Sequence, residues 1–572
     1  MSAMLSKIEN LINSGRYFEA HNMAEEFCAN NPDNLRAQQL CGLAMSKSGA
    51  RNAAIKFLEP VLERHTNDPE TAGILGGVYK EQFKMTADSS FARKSLDTYL
   101  SNFEETNSYY TGINAATMSQ ILGRGKTARE VAEKVVKIAG EEESFWAYAT
   151  VGEANLLLRN SQAAAESYYK AVQMGESQYG KLGSVYAQLL ILQHYINVPE
   201  NILAMFAPPK VAVFAGHMID HNRETPRFPE EISEHVKFAI GNDLRINNIK
   251  IGYSSLACGS DILFVESLIE LGGEVNIFIP FDRDEFMQIS VAFAGPQWVE
   301  RFEKIEASQN ITYVSKKYCQ NPDILFDFLG KIMIGSGVMR SSLFHDQPYL
   351  LTVASEADST LKKGGTNAIR KLWPYSANIL NINPDLYLKQ GVPIPDSRLE
   401  AEVIPDIKPY KRNIRYFVLA TLVTDGNERQ NEEFAKIVEK VKGEFIEFPG
   451  PNRSGVRDEG IFALYTKAHY AMDFALRLLN WSEEHEIDVR IALEAILMTK
   501  GADPQAVIAE TSSLKTVAFT DACYATMQFA AALSAEQPAR YDFHHVGIIS
   551  EGKIDEGQEI YKIDYKVKTA LS

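Results

Sequence analysis

Residues 1 to about 205 alternate short polar turns with segments in which apolar residues recur at intervals of three and four. Leu5, Ile8, Leu11 and Ile12 open the pattern, and that spacing places side chains on one stripe of an α-helix. Gly and Pro recur at intervals that would mark helix ends. Ser14-Gly15-Arg16 begins a turn before FEAHNMAEEFCANNP, and Ser48-Gly49-Ala50 begins another before NAAIKFLEPVLERHTNDP. The two turns are 34 residues apart, so a two-helix unit repeats. A third unit runs from Tyr109 to Gly123. A fourth spans Phe145 to Met174, with Ala163, Ala164 and Ala171 where helices must approach closely.

After Pro208-Pro209 the pattern changes to short apolar runs separated by helices. Lys210–Ala215, Asn248–Tyr253 and Glu274–Pro280 read as strands; Glu230–Leu244 and Ile262–Leu271 read as helices. This alternation predicts a parallel sheet covered on both faces, and in such sheets ligands sit beyond the carboxyl ends of the strands. The first strand ends in GHMID and the second in SSLACGSD. Small residues there let backbone approach a ligand, and N–H groups at the start of the next helix favour a phosphate or carboxylate. The candidate ligand-binding residues are Gly216, His217, Asp220, Arg227, Ser254, Ser255, Cys258, Gly259, Ser260 and Asp261, joined by the later loop Gly364, Gly365, Thr366 and Asn367. Arg223, with Arg227, is placed to clamp a phosphate. If the region is catalytic, Asp261 and Glu266 are the carboxylates available to stabilise an oxocarbenium-like centre.

A Pro-rich, charged linker at 393–410 separates this region from a tail. There Arg415–Leu422, Gly443–Phe448, Gly460–Tyr465 and Asp488–Glu494 read as strands, and Glu432–Val441 and Thr466–Glu483 as helices. The order β-α-β-β-α-β is ferredoxin-like. The expected domains are therefore a helical repeat array at 1–207, a Rossmann-like parallel-sheet domain at 208–392 and an α/β domain at 411–572. The fold class is a multidomain α and α/β protein.

Each part carries a resemblance. The 34-residue period is that of tetratricopeptide repeats. Within it, the stretch from GGVYKEQF to LDTYLSNFEETNSYYTGINAATM resembles the central regulatory region of apoptosis signal-regulating kinases and its bacterial relatives, which implies partner binding. No kinase signature accompanies it: the Gly-rich loop, HRD and DFG are absent. FAGHMID, GYSSLACGSDILFVE, IFIPFDRDEF and GGT resemble the SLOG superfamily, which includes the lonely-guy phosphoribohydrolases and nucleotide-sensing domains of bacterial conflict systems. That implies a nucleotide-type ligand or cleavage of an N-glycosidic bond. Only GGT stands where the phosphoribohydrolases carry PGGxGT.

RYFVLATLV, the segment from EFIEFPG to DEGIFALYTKAHYAMDFALRLL, DVRIALEAILM and HHVGIISEGKIDEGQEIYKI resemble the class III nucleotide cyclase domain. Such cyclases hold two metal ions on two aspartates. Here Thr421 occupies the first position, Asp425 fits only in a shifted register, and Asp458 and Glu459 lie at the second. Mg or Mn is implied only if Asp425, Asp458 and Glu459 serve as ligands. TDACYATMQFAAAL, read as the helix after Phe519, lacks the asparagine and arginine of active cyclases. The resemblance therefore implies a degenerate cyclase kept for dimerisation or for nucleotide sensing without turnover.

Composition narrows the function classes. The 572 residues carry 58 Lys and Arg against 74 Asp and Glu, a net charge of −16, which argues against general affinity for nucleic acid or anionic membrane. The five cysteines are scattered, with no CxxC pair, and fit reduced thiols in a cytoplasmic protein. MSAMLSKIENLINSG lacks an apolar core, so no signal peptide is expected, and no apolar run suggests a membrane span. Three functions remain open. The first is a signalling regulator that senses a nucleotide-type ligand, relays it through protein contacts on the repeats and dimerises through the tail. The second is an effector enzyme cleaving a nucleotide or NAD-like N-glycosidic bond. The third is an atypical active cyclase.

Overall fold

The structure is a computed structural model. It describes residues 2–13, 15–175, 179–221, 226–315, 322–344, 346–355, 365–388, 412–422, 453–457, 460–484, 488–499, 522–549 and 558–566. The chain forms two compact units: Met1–Pro208 with His544–Ser572, and Pro209–Phe543.

The first unit is built on helices α1 (Ser2–Asn13), α2 (Tyr17–Asn30), α3 (Leu35–Lys47), α4 (Arg51–Arg64), α5 (Pro69–Thr86), α6 (Ser89–Thr106), α7 (Tyr109–Ile121), α8 (Gly125–Ala139), α9 (Phe145–Leu157), α10 (Ser161–Gly175), α11 (Tyr179–Gln193) and α12 (Glu200–Phe206). The turn within each of the first five pairs holds one residue at positive φ: Gly15 (+78°), Gly49 (+89°), Ala87 (+57°), Gly123 (+75°) and Arg159 (+62°). The left-handed turn thus recurs from pair to pair, and it persists where glycine is replaced. Small residues let paired helices touch. A Cβ on Gly76 would lie 2.7 Å from the Tyr99 ring, and one on Gly152 would lie 2.8 Å from the Tyr168 ring.

Strands β12 (Tyr541–Ile549) and β13 (Gln558–Tyr565) contribute residues that pack on the first two turns. The Lys562 ammonium donates to the Gly49 carbonyl at 3.2 Å. A Cβ on Gly547 would lie 3.0 Å from the Gly15 carbonyl oxygen. Nothing in the amino-terminal sequence signals this partner.

The second unit contains two sheets. The first comprises β1 (Lys210–Gly216), β2 (Ile249–Ser254), β3 (Glu274–Ile279), β4 (Ile311–Tyr313), β5 (Tyr349–Val353) and β6 (Ile379–Ile382), in the order β4-β3-β2-β1-β5-β6. Every pairing is parallel. Its helices are α13 (Ser233–Ile246), α14 (Ser260–Glu270), α15 (Arg283–Ser290), α16 (Pro296–Glu306), α17 (Pro322–Ser342), α18 (Thr366–Leu372) and α19 (Asp385–Leu388). The chain winds outward from β1 to β4 and returns to β5 on the other side of β1. The loops leaving β1 and β5 therefore part company, which opens a crevice at their carboxyl ends.

The second sheet includes β7 (Arg412–Leu422), β8 (Arg453–Arg457), β9 (Gly460–Tyr465), β10 (Val489–Thr499) and β11 (Cys523–Thr526), in the order β11-β10-β7-β9-β8. The pairings are antiparallel except β10 with β11. Helices α20 (Ala468–Glu484) and α21 (Met527–Glu536) accompany it. The predicted strand at 443–448 and helix at 432–441 lie outside the described residues. Within TDACYATMQFAAAL, read as one helix, Cys523–Thr526 is a strand and the helix starts at Met527, because the Thr526 hydroxyl caps it by accepting from the Phe529 N–H. Helix α21 crosses α17 so closely that a Cβ on Gly335 would collide with the Ala531 carbonyl oxygen.

Left-handed backbone costs a non-glycine residue about 1–2 kcal/mol, part of which glycine returns through its freer unfolded chain. Ala87 is exposed, so Ala87→Gly should stabilise the array by about 0.5–1 kcal/mol and raise its thermal midpoint by about 2 °C. Gly49→Ala should lower it, since the new Cβ meets Lys562 Cδ at 2.5 Å at a φ of +89°. Circular dichroism melts measure both; an Ala87→Gly midpoint at or below the parent's contradicts the assignment of that turn.

Candidate functional site

The carboxyl ends of β1, β2 and β5 bring much of the predicted ligand set together. β1 ends at Gly216, and a Cβ there would collide with Ser260 Oγ. That contact exists because the His217 carbonyl accepts from both the Ser260 N–H (3.1 Å) and the Ser260 hydroxyl (2.8 Å). Gly259, at φ +91°, starts α14 and allows the approach; a Cβ there would lie 2.7 Å from the Ile219 nitrogen. Glycine at 216 and 259 thus reflects backbone crowding.

His217 is buried. Its N–H donates to the Val353 carbonyl at 3.0 Å. Its Nε2 lies 3.3 Å from the Ser355 N–H and accepts from it. The Ser355 hydroxyl donates to Asp385 Oδ2 at 2.6 Å. Ser355 and Asp385 were not singled out in the sequence, although the apolar run Tyr349–Val353 ending in Ala-Ser is a strand signal of the same kind as the first two.

Asp261 lies in the first turn of α14. Its carboxylate accepts from the Ala257 N–H at 3.3 Å and from the Gly216 N–H. Protein crowds the carboxyl group although the residue keeps partial exposure, as in a concave wall. Burial pushes this carboxyl up to about 7, against the pull of the two N–H donors. Ser254 and Ser255 are 1% and 7% exposed, and neither hydroxyl has a hydrogen-bond partner among the described residues. An unsatisfied buried hydroxyl costs about 1–3 kcal/mol, so each of these two, consecutive at a strand end, calls for a bound water or ligand group.

Other candidates have structural duties. Asp220 Oδ2 accepts from the Arg227 N–H (2.6 Å) and the Phe228 N–H (2.7 Å), closing the loop after β1. The Cys258 N–H donates to the Ser290 carbonyl at 2.8 Å, and burial pushes its thiol up to about 12. Such a thiol is not a nucleophile. Glu266 is clamped by Arg301 at 2.8 and 2.5 Å and by Lys237 at 3.1 Å. Burial raises its carboxyl, but these cations outweigh burial and hold it below the usual carboxylate range. Thr366 is buried at the start of α18, which packs against β1 and β5, with Asn367 half-buried beside it and Gly365 as the preceding cap. Gly364 and Arg223 lie outside the described residues.

In the second sheet, Thr421 is buried and paired with Arg490 on one side and Gly460 on the other. Asp425, Asp458 and Glu459 lie outside the described residues. Among the described residues no three His, Cys, Asp or Glu side chains gather as a metal site, and no helix is long and apolar enough to cross a membrane.

The helical array offers a second surface. Lys80 on α5, Thr117 on α7, Glu153 on α9 and Gln188 on α11 form a ladder across successive first helices. The Lys80 ammonium donates to Gln188 Oε1 at 2.7 Å, and Glu153 Oε1 accepts from Gln188 Nε2 (2.7 Å) and the Thr117 hydroxyl (2.5 Å). Burial pulls the Lys80 ammonium down and pushes the Glu153 carboxyl up. Tyr110 and Trp146, 36 residues apart at the starts of α7 and α9, are 45% and 47% exposed.

Comparison with known proteins bears on this array. Residues 16–119 match the family model described as Tetratricopeptide Repeats-Sensor. Among solved structures, a thermophilic tetratricopeptide-repeat protein of Thermus thermophilus is 16% identical, over 33% of this chain and 98% of that one, with a TM-score of 0.29. The MamA protein of Desulfovibrio magneticus is 15% identical over 31% and 96%, with a TM-score of 0.24. A tetratricopeptide-repeat protein of Parabacteroides merdae is 13% identical over 36% and 83%, with a TM-score of 0.24. None of the curated proteins matches. By the family model, residues 16–119 are thus tetratricopeptide repeats.

The Asp261 carboxyl gives a pH signature. Its folded pKa of about 7 lies above the ordinary 3.8. The acid form therefore favours folding below about pH 4, and that contribution is lost as pH rises to about 7. Asp261→Asn, which keeps an acceptor without a charge, should raise the thermal midpoint more at pH 8 than at pH 5. Equal shifts at the two pH values contradict the burial of the charge.

Proposed function

We propose that this protein is a signalling regulator whose parallel-sheet region binds a nucleotide-type ligand and whose repeat array passes the bound state to a protein partner. The observation that carries the reading is the pair of buried hydroxyls of Ser254 and Ser255, unpartnered among the described residues, at the end of β2, next to β1, from which the sheet winds to both sides. Ligands settle at such crevices in parallel sheets, and the resemblance of FAGHMID and GYSSLACGSDILFVE to SLOG domains supplies the nucleotide class. The word sensor in the description of the family matched at 16–119 agrees with it.

For the partner, Tyr110 and Trp146 are exposed aromatic anchors of the kind that dominate protein interfaces. The antiparallel sheet serves to pair two copies, as in the cyclase domains it resembles.

An N-glycosidic hydrolase would need a free carboxylate; Glu266 is tied to Arg301 and Lys237, and Asp261 is engaged by the Ala257 and Gly216 N–H groups. A two-metal cyclase would need a carboxylate where Thr421 lies between strands. Binding without turnover is therefore the reading the residues support best.

Incubation of the full chain with ATP, GTP, AMP, NAD and cyclic nucleotides, with and without magnesium or manganese, tests it. At least one should raise the thermal midpoint with no product by chromatography, and Ser255→Tyr, which fills the strand end, should remove the shift. Release of free base or of a cyclic product overturns the regulator in favour of an enzyme.

A further inference from the structure

The site at the end of β2 also indicates which end of a nucleotide it takes. Gly216 and Ser254 lie on one side of the sheet. Phe214, two residues before Gly216, stacks on Phe264 of α14 with ring centroids 4.5 Å apart. Gly252, two residues before Ser254, faces the same helix, for a Cβ there would meet Leu268 and Phe264 at 2.5 and 2.7 Å. Side chains two apart on a strand share a face. Ser254 and the crowded Gly216 therefore both sit beneath α14, where Asp261 occupies the first turn.

A strand-to-helix loop of this kind usually presents its N–H groups to a phosphate. Here the Gly216 and Ala257 N–H groups already donate to the Asp261 carboxylate. A phosphate brought to these two N–H groups would have to displace the acidic side chain they already serve. A neutral diol meets the opposite conditions. Each hydroxyl of Ser254 and Ser255 can donate and accept, and a carboxylate accepts strongly from a hydroxyl donor. We propose that the loop Ser254–Asp261 holds the vicinal hydroxyls of a ribose, and that any phosphate of the ligand lies away from it. The proposal rests on the nucleotide reading given above.

The test measures binding to the full chain by calorimetry with AMP, adenosine and 2′,3′-dideoxyadenosine, repeated with the guanosine series. Adenosine should bind within about threefold of AMP, and removal of both ribose hydroxyls should weaken binding at least tenfold. Asp261→Ala should weaken AMP and adenosine by the same factor. Ser254→Ala and Ser255→Ala, which remove one hydroxyl each and leave the backbone alone, should each weaken both ligands about three- to tenfold. Melting curves show whether each variant is folded.

Tighter binding of AMP than of adenosine in Asp261→Ala means that the carboxylate repels a nearby phosphate, and overturns the assignment. So does a dideoxynucleoside that binds as well as the parent. If no nucleoside or nucleotide binds the parent chain, the nucleotide reading itself falls, and the two hydroxyls hold water only.

Discussion

The strand-end site depends on one acceptor, the carbonyl oxygen of His217, which takes both the backbone N–H and the hydroxyl of Ser260. That double contact pulls the first turn of α14 onto the end of β1. It explains the glycine at 216, where any Cβ would strike Ser260, and the glycine at 259, where backbone turns to positive φ. It also carries Asp261 to the Gly216 N–H and traps a carboxyl where burial resists its charge. Loosening this contact would release the Asp261 carboxyl from the end of β1.

The repeat array rests on a different constraint. Each of the first five helix pairs turns through one residue in the left-handed region, and the turn persists when that residue is Ala87 or Arg159. Where a sterically costly conformation recurs at successive, similar intervals, the packing of the helices sets it. The ladder from Lys80 through Gln188 and Glu153 to Thr117 shows the same regularity among side chains. It joins four successive units by hydrogen bonds, so a partner seated on that face would contact residues whose positions are mutually fixed.

Much of this was legible in the sequence. The 34-residue interval between Gly15 and Gly49, the runs that became β1, β2 and β3, and the clustering of Gly216, His217, Ser260 and Asp261 follow from periodicity and from the rule about strand ends. Ser355 follows an apolar run, Tyr349–Val353, that marks a strand, whereas Asp385 joins the site from a segment distant in sequence and carries no local mark. The duties of Asp220 and Glu266 were equally hidden. A carboxylate in a polar stretch looks alike whether it faces a ligand, closes its own loop or pairs with an arginine 35 residues away. The packing of Lys562 on Gly49 spans a sequence separation of 513 residues, a distance at which no pattern in sequence survives.

The central claim is that a nucleotide-type ligand sits at the ends of β1 and β2. Hydrogen–deuterium exchange on the full chain, with and without saturating AMP, measures this directly. The account predicts slowed exchange in the peptides covering 214–220 and 254–261, the segments that line the site. Exchange unchanged there while AMP slows it in the helices of residues 1–208 would contradict the account and move the ligand to the repeat array.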